Sequence, residues 1–389
     1  MKRASEMILG IDATNITSGG GMTHLKELLN QHEVYQNYFD KIVLWASTST
    51  LSKIPVHFSI IKKTHPFLNK GIFFRIIWQL LYSKRDFTKE KINILFNPGG
   101  AYVGKFRPYV TMSRNMLVFD EKERSRYGLS VTRIRLKILN WVQSFSIKNA
   151  EAIIFISRYA ESVIKANFKQ KKSILIHHGI SERFKYKEKR HLEYTDSFES
   201  KEVFVLTYIS IIDVYKHQWN VVEAVYKLRK KGYPLILNLI GGNYGSALMK
   251  LKKSIEEFDS DREFVKLCGL IPYEDIDAHY NSLDLFVFAS TCENMPNILI
   301  EAMASGLPIV CSNHHPMPEF LKDAGMYFDP LDANSIAFAI EKMIVNPDLR
   351  VKSGKKAFEY SKQFDWGKCA NQTFQYLQDI ASYGLDNEK

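Results

Sequence analysis

The amino-acid sequence predicts an α/β fold of two doubly wound, parallel-sheet domains facing each other across a cleft. Three observations lead to it. At 389 residues the chain is too long for one ordinary core, so two domains are the starting expectation. Short apolar runs alternate with helical stretches along its length, the pattern of a parallel sheet covered on both faces. A charged stretch almost without aliphatic side chains, residues 182–202 (ERFKYKEKRHLEYTDSFESKE), interrupts that alternation near the middle.

In the first half, EMILGIDATN reads as a strand running into a turn, and SGGGMTHLKELLNQH as a glycine loop opening an amphipathic helix. KIVLWAS, INILFNPGG, YVTMSRN, EAIIFIS and SILIHHG follow as short β-rich runs. The second half repeats the grammar. FVLTYIS leads to the helical WNVVEAVYKLRKKG, then to PLILNLIGG and the helical SALMKLKKSIEEF. FVKLCGL, LDLFVFAS, a short helix and PIVCSN complete it. A boundary within 182–202 gives one domain over 1–186 and another over 187–365. Ligands of such sheets bind beyond the carboxyl ends of the strands, so a cleft between the domains is the expected site.

Composition narrows the class. Hydrophobic residues at 46% and charged residues at 24% are ordinary for a globular protein and exclude a disordered or fibrous one. The four cysteines form no C-x-x-C pair, which argues against a zinc site or a disulfide framework and suits a reducing compartment. MKRASEMILGIDATN is too short in apolar residues for a secretory leader, and no run reaches the roughly 18 needed to span a bilayer. The net charge of +11 hides an asymmetry: residues 1–186 hold 30 Lys+Arg against 13 Asp+Glu, and the remainder 23 against 29. An anionic partner would therefore meet mainly the N-terminal half. Residues 62–91 there interleave Lys and Arg with Phe, Trp, Leu and Ile, and EKERSRYGLSVTRIRLK adds cations. Such a helix suits an anionic membrane interface or, equally, a core helix with snorkelling basic ends.

The segment CENMPNILIEAMASGLPIV, residues 292–310, is the most informative. Pro296 fits the first turn of a helix, Asn294 is a candidate cap, and Gly306 and Pro308 stop the helix abruptly. The free amides of Asn297, Ile298 and Leu299 then form an anion site at the positive end of the helix dipole. Glu301, four residues after Asn297, lies on the same face roughly 6 Å along the axis. A carboxylate there could accept from a ribose diol, with phosphate at the helix start and a sugar beyond it at Glu293. As the one charge in NILIEAMA, Glu301 is oddly placed for a solvated side chain.

These motifs resemble those of the retaining GT-B glycosyltransferases of family four, the glycosyl transferases group 1, whose E-x7-E motif runs here from Glu293 to Glu301 and on into AMASGLPIV. GGGMTHL resembles their N-terminal glycine loop and HHGIS the element ending the first domain. LTYISIIDVYKHQ is similar to their phosphate loop, LNLIGG to the next strand, and LCGLIP to the segment contacting the base. FDW, residues 364–366, resembles the start of a C-terminal helix, about 366–389, that returns to the first domain. The resemblance implies two Rossmann-like domains, the first acceptor-binding and the second donor-binding. It implies that Lys216 pairs with the donor diphosphate, that Gly20 and Gly21 let the backbone approach it, and that Ile271 contacts the base. Two departures stand out. Ile211 occupies the place of the usual arginine five positions before the lysine, and MSRNMLVFD offers Arg114 and Asn115 where many members have a histidine.

By that resemblance the chain transfers a sugar with retention, from a UDP- or GDP-linked donor to a saccharide or lipid-linked saccharide in cell-surface polysaccharide synthesis. It needs no metal or other cofactor and works in the cytoplasm, peripherally on the inner face of the membrane. DSD at 259–261 reads as a solvated turn, and His177 and His178 as structural histidines. Two other readings are weighed. One is GT-B chemistry of another kind, an epimerase or a phosphorylase, although no pyridoxal-binding motif is present. The other is a basic, non-catalytic nucleic-acid or membrane-surface binder, although no nucleic-acid motif accompanies the charge.

Overall fold

A computed structural model of the chain describes residues 6–168, 172–185, 203–242 and 245–386. Most of the 182–202 stretch, with the expected 186/187 boundary, lies outside them. The chain divides into two compact units. One comprises Met1–Phe119, Leu129–Gly179 and Phe364–Lys389; the other, Asp120–Gly128 and Ile180–Gln363.

The described residues of the first unit form a seven-stranded parallel sheet. In chain order its strands are β1 (Ile8–Asp12), β2 (Lys41–Trp45), β3 (Ile60–Lys63), β4 (Ile94–Asn97), β5 (Tyr109–Ser113), β6 (Ala152–Phe155) and β7 (Lys172–Leu175). The spatial order 3-2-1-4-5-6-7 reverses direction between β1 and β4. Every residue of β1, β4, β5 and β6 is buried, as helices on both faces require. Trp78, Phe87, Tyr102 and Tyr109 fill one side of the core.

The second unit repeats this with β8 (Phe204–Ile209), β9 (Leu235–Ile240), β10 (Val265–Gly269), β11 (Leu285–Phe288), β12 (Ile309–Ser312) and β13 (Met326–Phe328). Their order, 10-9-8-11-12-13, reverses between β8 and β11. The carboxyl ends of those two neighbours therefore open into loops that diverge to opposite faces, leaving room for a ligand.

Two expectations are corrected. Asp259 of DSD is no solvated turn residue: it is buried, and its carboxylate accepts the amides of Glu263 at 2.9 Å and Val265 at 2.7 Å, anchoring the start of β10. The charges of 120–128, read as additions to a basic surface, are partly internal to the second unit. There Arg124 pairs with Glu121, Arg126 with Glu123 at 2.7 Å, and Tyr127 donates to Asp213 at 2.8 Å.

Gly241, just past β9, shows how tightly the ligand end of this sheet is drawn. Its φ is +148°, and a Cβ there would lie 2.0 Å from the carbonyl oxygen of Ser210. Gly241→Ala is expected to cost at least about 2 kcal/mol, because strain and backbone overlap act together, and to lower the unfolding temperature measured by calorimetry.

Candidate functional site

Three segments converge at the carboxyl ends of β8 and β11. Residues 210–217 leave β8, residues 289–296 leave β11, and the second segment runs into the Asn297–Ala304 helix. The two loops are laced together. The Thr291 amide donates to the Tyr215 carbonyl at 2.9 Å, and the His217 ring lies 3.1 Å from the Thr291 hydroxyl. The Tyr208 hydroxyl reaches across to the Lys216 carbonyl at 2.8 Å. Burial, joined by the charges of Arg126 and Lys250, pushes His217 down to about 3, so it is neutral across the physiological range.

Lys216 is buried, and its ammonium pairs with Glu293. The same ammonium lies 5.0 Å from the Tyr215 ring and 5.1 Å from the Phe288 ring, contacts that help to hold an almost dehydrated cation.

The helix is eight residues long. Its cap position is held by Pro296, not by Asn294 as the sequence suggested, and no side chain caps the start. The first amide engaged within the helix is that of Ile300, which donates to the Pro296 carbonyl at 3.1 Å. The amides of Asn297, Ile298 and Leu299 are thus those that helical geometry leaves without an i−4 partner. The Asn297 side-chain oxygen is also buried without a hydrogen-bond partner among the described residues. Gly306, at φ +67°, ends the helix as expected.

Glu301 is buried, and burial raises it to about 7. The Tyr273 hydroxyl donates to one of its oxygens at 3.0 Å and the Tyr280 hydroxyl to the other at 3.1 Å. The Arg183 guanidinium lies 4.1 Å over the Tyr273 ring and adds a favourable charge. Each carboxylate oxygen keeps a second lone pair for a further donor. Sequence reasoning missed Tyr273, Tyr280 and Arg183. They stand 28, 21 and 118 positions before Glu301, and no motif spacing marks them. Ile271, the residue expected at the base, follows edge strand β10 and is half-buried two residues before Tyr273.

The remaining candidates lie in the first unit. Gly20 and Gly21 belong to the first turn of the Gly19–Asn30 helix rather than to a loop, and a Cβ on Gly21 would lie 3.3 Å from an Arg114 guanidinium nitrogen. Burial lowers Arg114 to about 10. The Asn115 side chain accepts the Leu117 amide at 3.1 Å and so caps a short 3-10 turn. In the same unit His24 and His178 stack with ring centroids 4.5 Å apart, and Trp366, which opens the C-terminal helix, stacks on His178. Burial holds His24 well below the usual histidine range. Ile211, in the arginine's place, is about one-third exposed.

The described residues show no cluster of three or more His, Cys, Asp or Glu able to hold a metal, and no helix long and apolar enough to cross a membrane.

The paired sheets, with reversals at β1/β4 and β8/β11, define the GT-B class of fold. Residues 193–360 match the glycosyl transferases group 1 family. The chain is 32% identical over 141 residues to the O-antigen chain mannosyltransferase B of Escherichia coli, a match covering 36% of either chain, about a third of that relative's length. Among solved structures, sucrose-phosphate synthase from Thermosynechococcus elongatus superposes with a TM-score of 0.75 at 17% identity, covering 97% of this chain and 100% of that one. Anabaena HepE in complex with UDP-glucose gives 0.68 at 17% identity, covering 95% and 99%.

Glu301 yields a prediction with a definite sign. Its folded value, about 7, lies above its ordinary 4.5, so the neutral form is favoured by folding. The resulting stability is present below pH 4.5 and is lost as pH rises toward 7, on the order of 3 kcal/mol in all. Glu301→Gln, which cannot ionise, is expected to unfold at a higher temperature than the parent at pH 8 and at no higher temperature at pH 4. Calorimetry at the two pH values checks this.

Proposed function

We propose that the chain is a glycosyltransferase that moves a sugar, with retention of configuration and without a metal, from a nucleotide-sugar donor to a saccharide acceptor. The observation that carries this reading is an alignment within the second unit. Lys216 and Glu293, the free amides of 297–299, and Glu301 follow one another at the sheet's switch point. Phosphate at the helix start, with Lys216 beside it, leaves the ribose diol at Glu301 and the sugar at Glu293. Arg126 and Lys250 add positive charge near the loop where Ile211 replaces the arginine.

The order of events follows from competition for Lys216. Its ammonium belongs to Glu293 until a diphosphate claims it. Glu293 is then released to accept from a hydroxyl of the donor sugar. As the bond from the anomeric carbon to the diphosphate breaks, charge grows on the leaving oxygen, which Lys216 and the helix amides would stabilise in this reading. The acceptor oxygen attacks the anomeric carbon, and its proton passes to the leaving diphosphate. Ile271 meets the base through its backbone, and Gly20, Gly21, Arg114 and Asn115 keep the roles that the resemblance implies.

UDP- or GDP-linked sugars are the donors of this reading, since HepE binds UDP-glucose and the E. coli relative is named a mannosyltransferase. In this reading the acceptor is lipid-linked and the pathway is that of a cell-surface polysaccharide such as the O-antigen chain in that relative's name. The enzyme then works peripherally at the cytoplasmic face of an anionic membrane.

Calorimetric titration with UDP- and GDP-sugars tests the assignment. The parent is expected to bind one of them, and Glu301→Ala to bind it at least about tenfold more weakly, the loss of a charged hydrogen-bond acceptor. Unchanged affinity in that variant would remove ribose from Glu301. Glu293→Ala and Lys216→Ala are expected to lower turnover by roughly 10²–10³, the scale of losing one charge-stabilising group, with Glu293→Ala leaving donor affinity nearly intact.

A further inference from the structure

Two helices of the first unit turn large apolar side chains outward. On Ile72–Leu81, the residues Ile72, Phe73, Phe74, Leu80 and Leu81 are exposed, Phe73 by 67% and Leu81 by 70%. On Val131–Asn149, the exposed set is Val131, Ile134, Ile138, Trp141 and Phe145, preceded by the fully exposed Leu129. The spacing of that second set, three-four-three-four, makes one stripe along an α-helix.

Neither helix is loosely held. On its inner side the first carries buried Trp78, whose indole donates to Asp86 at 3.0 Å, and Gln79, which donates to Asp12 at 2.7 Å and accepts the Val103 amide. The second is fixed through Ser146, whose hydroxyl accepts the Tyr102 amide at 3.1 Å and whose carbonyl accepts from the Tyr109 hydroxyl. Ile76 of the first helix and Val142 of the second share a cluster with Ala101 and Val103. The outward faces are therefore what remains after the core has taken its share, and exposed patches of this kind mark interaction sites.

We infer that these two helix faces form a seat for an anionic lipid bilayer. The charge selects the occupant. Residues 70–85 and 129–149 contain eight Lys and Arg and no Asp or Glu, although Arg85 lies 3.6 Å from Asp86, which follows it. A second copy docking face to face would set those cations against their own images, as a two-fold contact requires. An anionic lipid surface instead pairs with the cations while the aromatic and aliphatic side chains enter the interface, where tryptophan is favoured. The inference shares its direction with the membrane-surface part of the reading above, and adds the surface itself. It does not depend on how the second unit binds a nucleotide.

Trp141 provides the probe. Of the five tryptophans it is 67% exposed, whereas Trp45, Trp78, Trp219 and Trp366 are buried. The full chain is mixed with phosphatidylcholine vesicles with or without about one-third phosphatidylglycerol, and emission and co-sedimentation are followed. The mixed vesicles are expected to pull the chain down and shift its emission to the blue, with added salt weakening both. Ile134→Ser/Ile138→Ser, which keeps Trp141, is expected to bind at least about tenfold more weakly. Trp141→Phe is expected to keep most of the binding and lose the spectral shift. Phe73→Ser/Leu81→Ser repeats the first variant's test on the other helix, in case that variant fails to fold.

Absence of vesicle binding by the parent, or unchanged binding in both serine pairs, would overturn the proposal. So would a lipid-independent dimer in sedimentation velocity that the serine substitutions abolish. A thermal shift by donor nucleotide, measured on the same variants, reports the second unit separately. Its loss in the parent would overturn the donor reading and leave the seat standing.

Discussion

Tyr273 and Tyr280 each give a hydroxyl hydrogen bond to Glu301, one to either oxygen, and the Arg183 guanidinium lies over the Tyr273 ring. A carboxylate buried in an otherwise apolar helix would lose its charge without such partners. Holding this one sets the local architecture. The Tyr280 hydroxyl also lies 3.2 Å from the carbonyl of Ile298, so the group that steadies Glu301 also touches the helix start. Phe184, beside Arg183, packs edge-on to Tyr280, and its carbonyl accepts from Ser305 at the helix end. Short as it is, the helix is gripped at start, middle and end, and its amides and its acid keep a fixed separation. That rigidity is what a site for a ligand of fixed length needs.

The two α/β units and their central strands were legible because fully buried parallel strands read as uninterrupted apolar runs. β1, β6, β8 and β11 lie within runs that stand out by composition alone. β3 and β13 did not stand out. They are edge strands of four and three residues, mostly half-buried, and so carry neither an apolar run nor an alternation. In the site, Glu301 was legible because a lone charge among apolar neighbours violates the local pattern. Its tyrosine and arginine partners were not, since each is unremarkable in its own segment and only the fold brings them together. Asn294 illustrates a different failure. It has the chemistry of a cap, but the chain needs another residue before the helix begins, and Pro296 takes the position.

Net charge by segment was an equally incomplete guide. Residues 120–128 hold Lys122, Arg124 and Arg126 beside Asp120, Glu121 and Glu123, and the fold assigns them to the other unit. Arg124 and Arg126 each pair with a glutamate three residues earlier, and Glu123 is buried. Residues 129–149 differ in holding four Lys and Arg and no Asp or Glu. The two adjoining stretches thus differ in net charge and in the unit they join.

The same distinction bears on Ile211. Where the resemblance implies an arginine, Ile211 brings no charge, and in the proposed reading a diphosphate would meet Lys216 without that second cation. Arg126 and Lys250 depress the proton affinity of His217, so their positive potential reaches the residue next to Lys216. Lys250 lies 4.1 Å over the Trp219 ring and is itself lowered by burial and by Arg126, which are marks of cations crowded together. Bringing like charges together costs free energy that an anion placed among them returns.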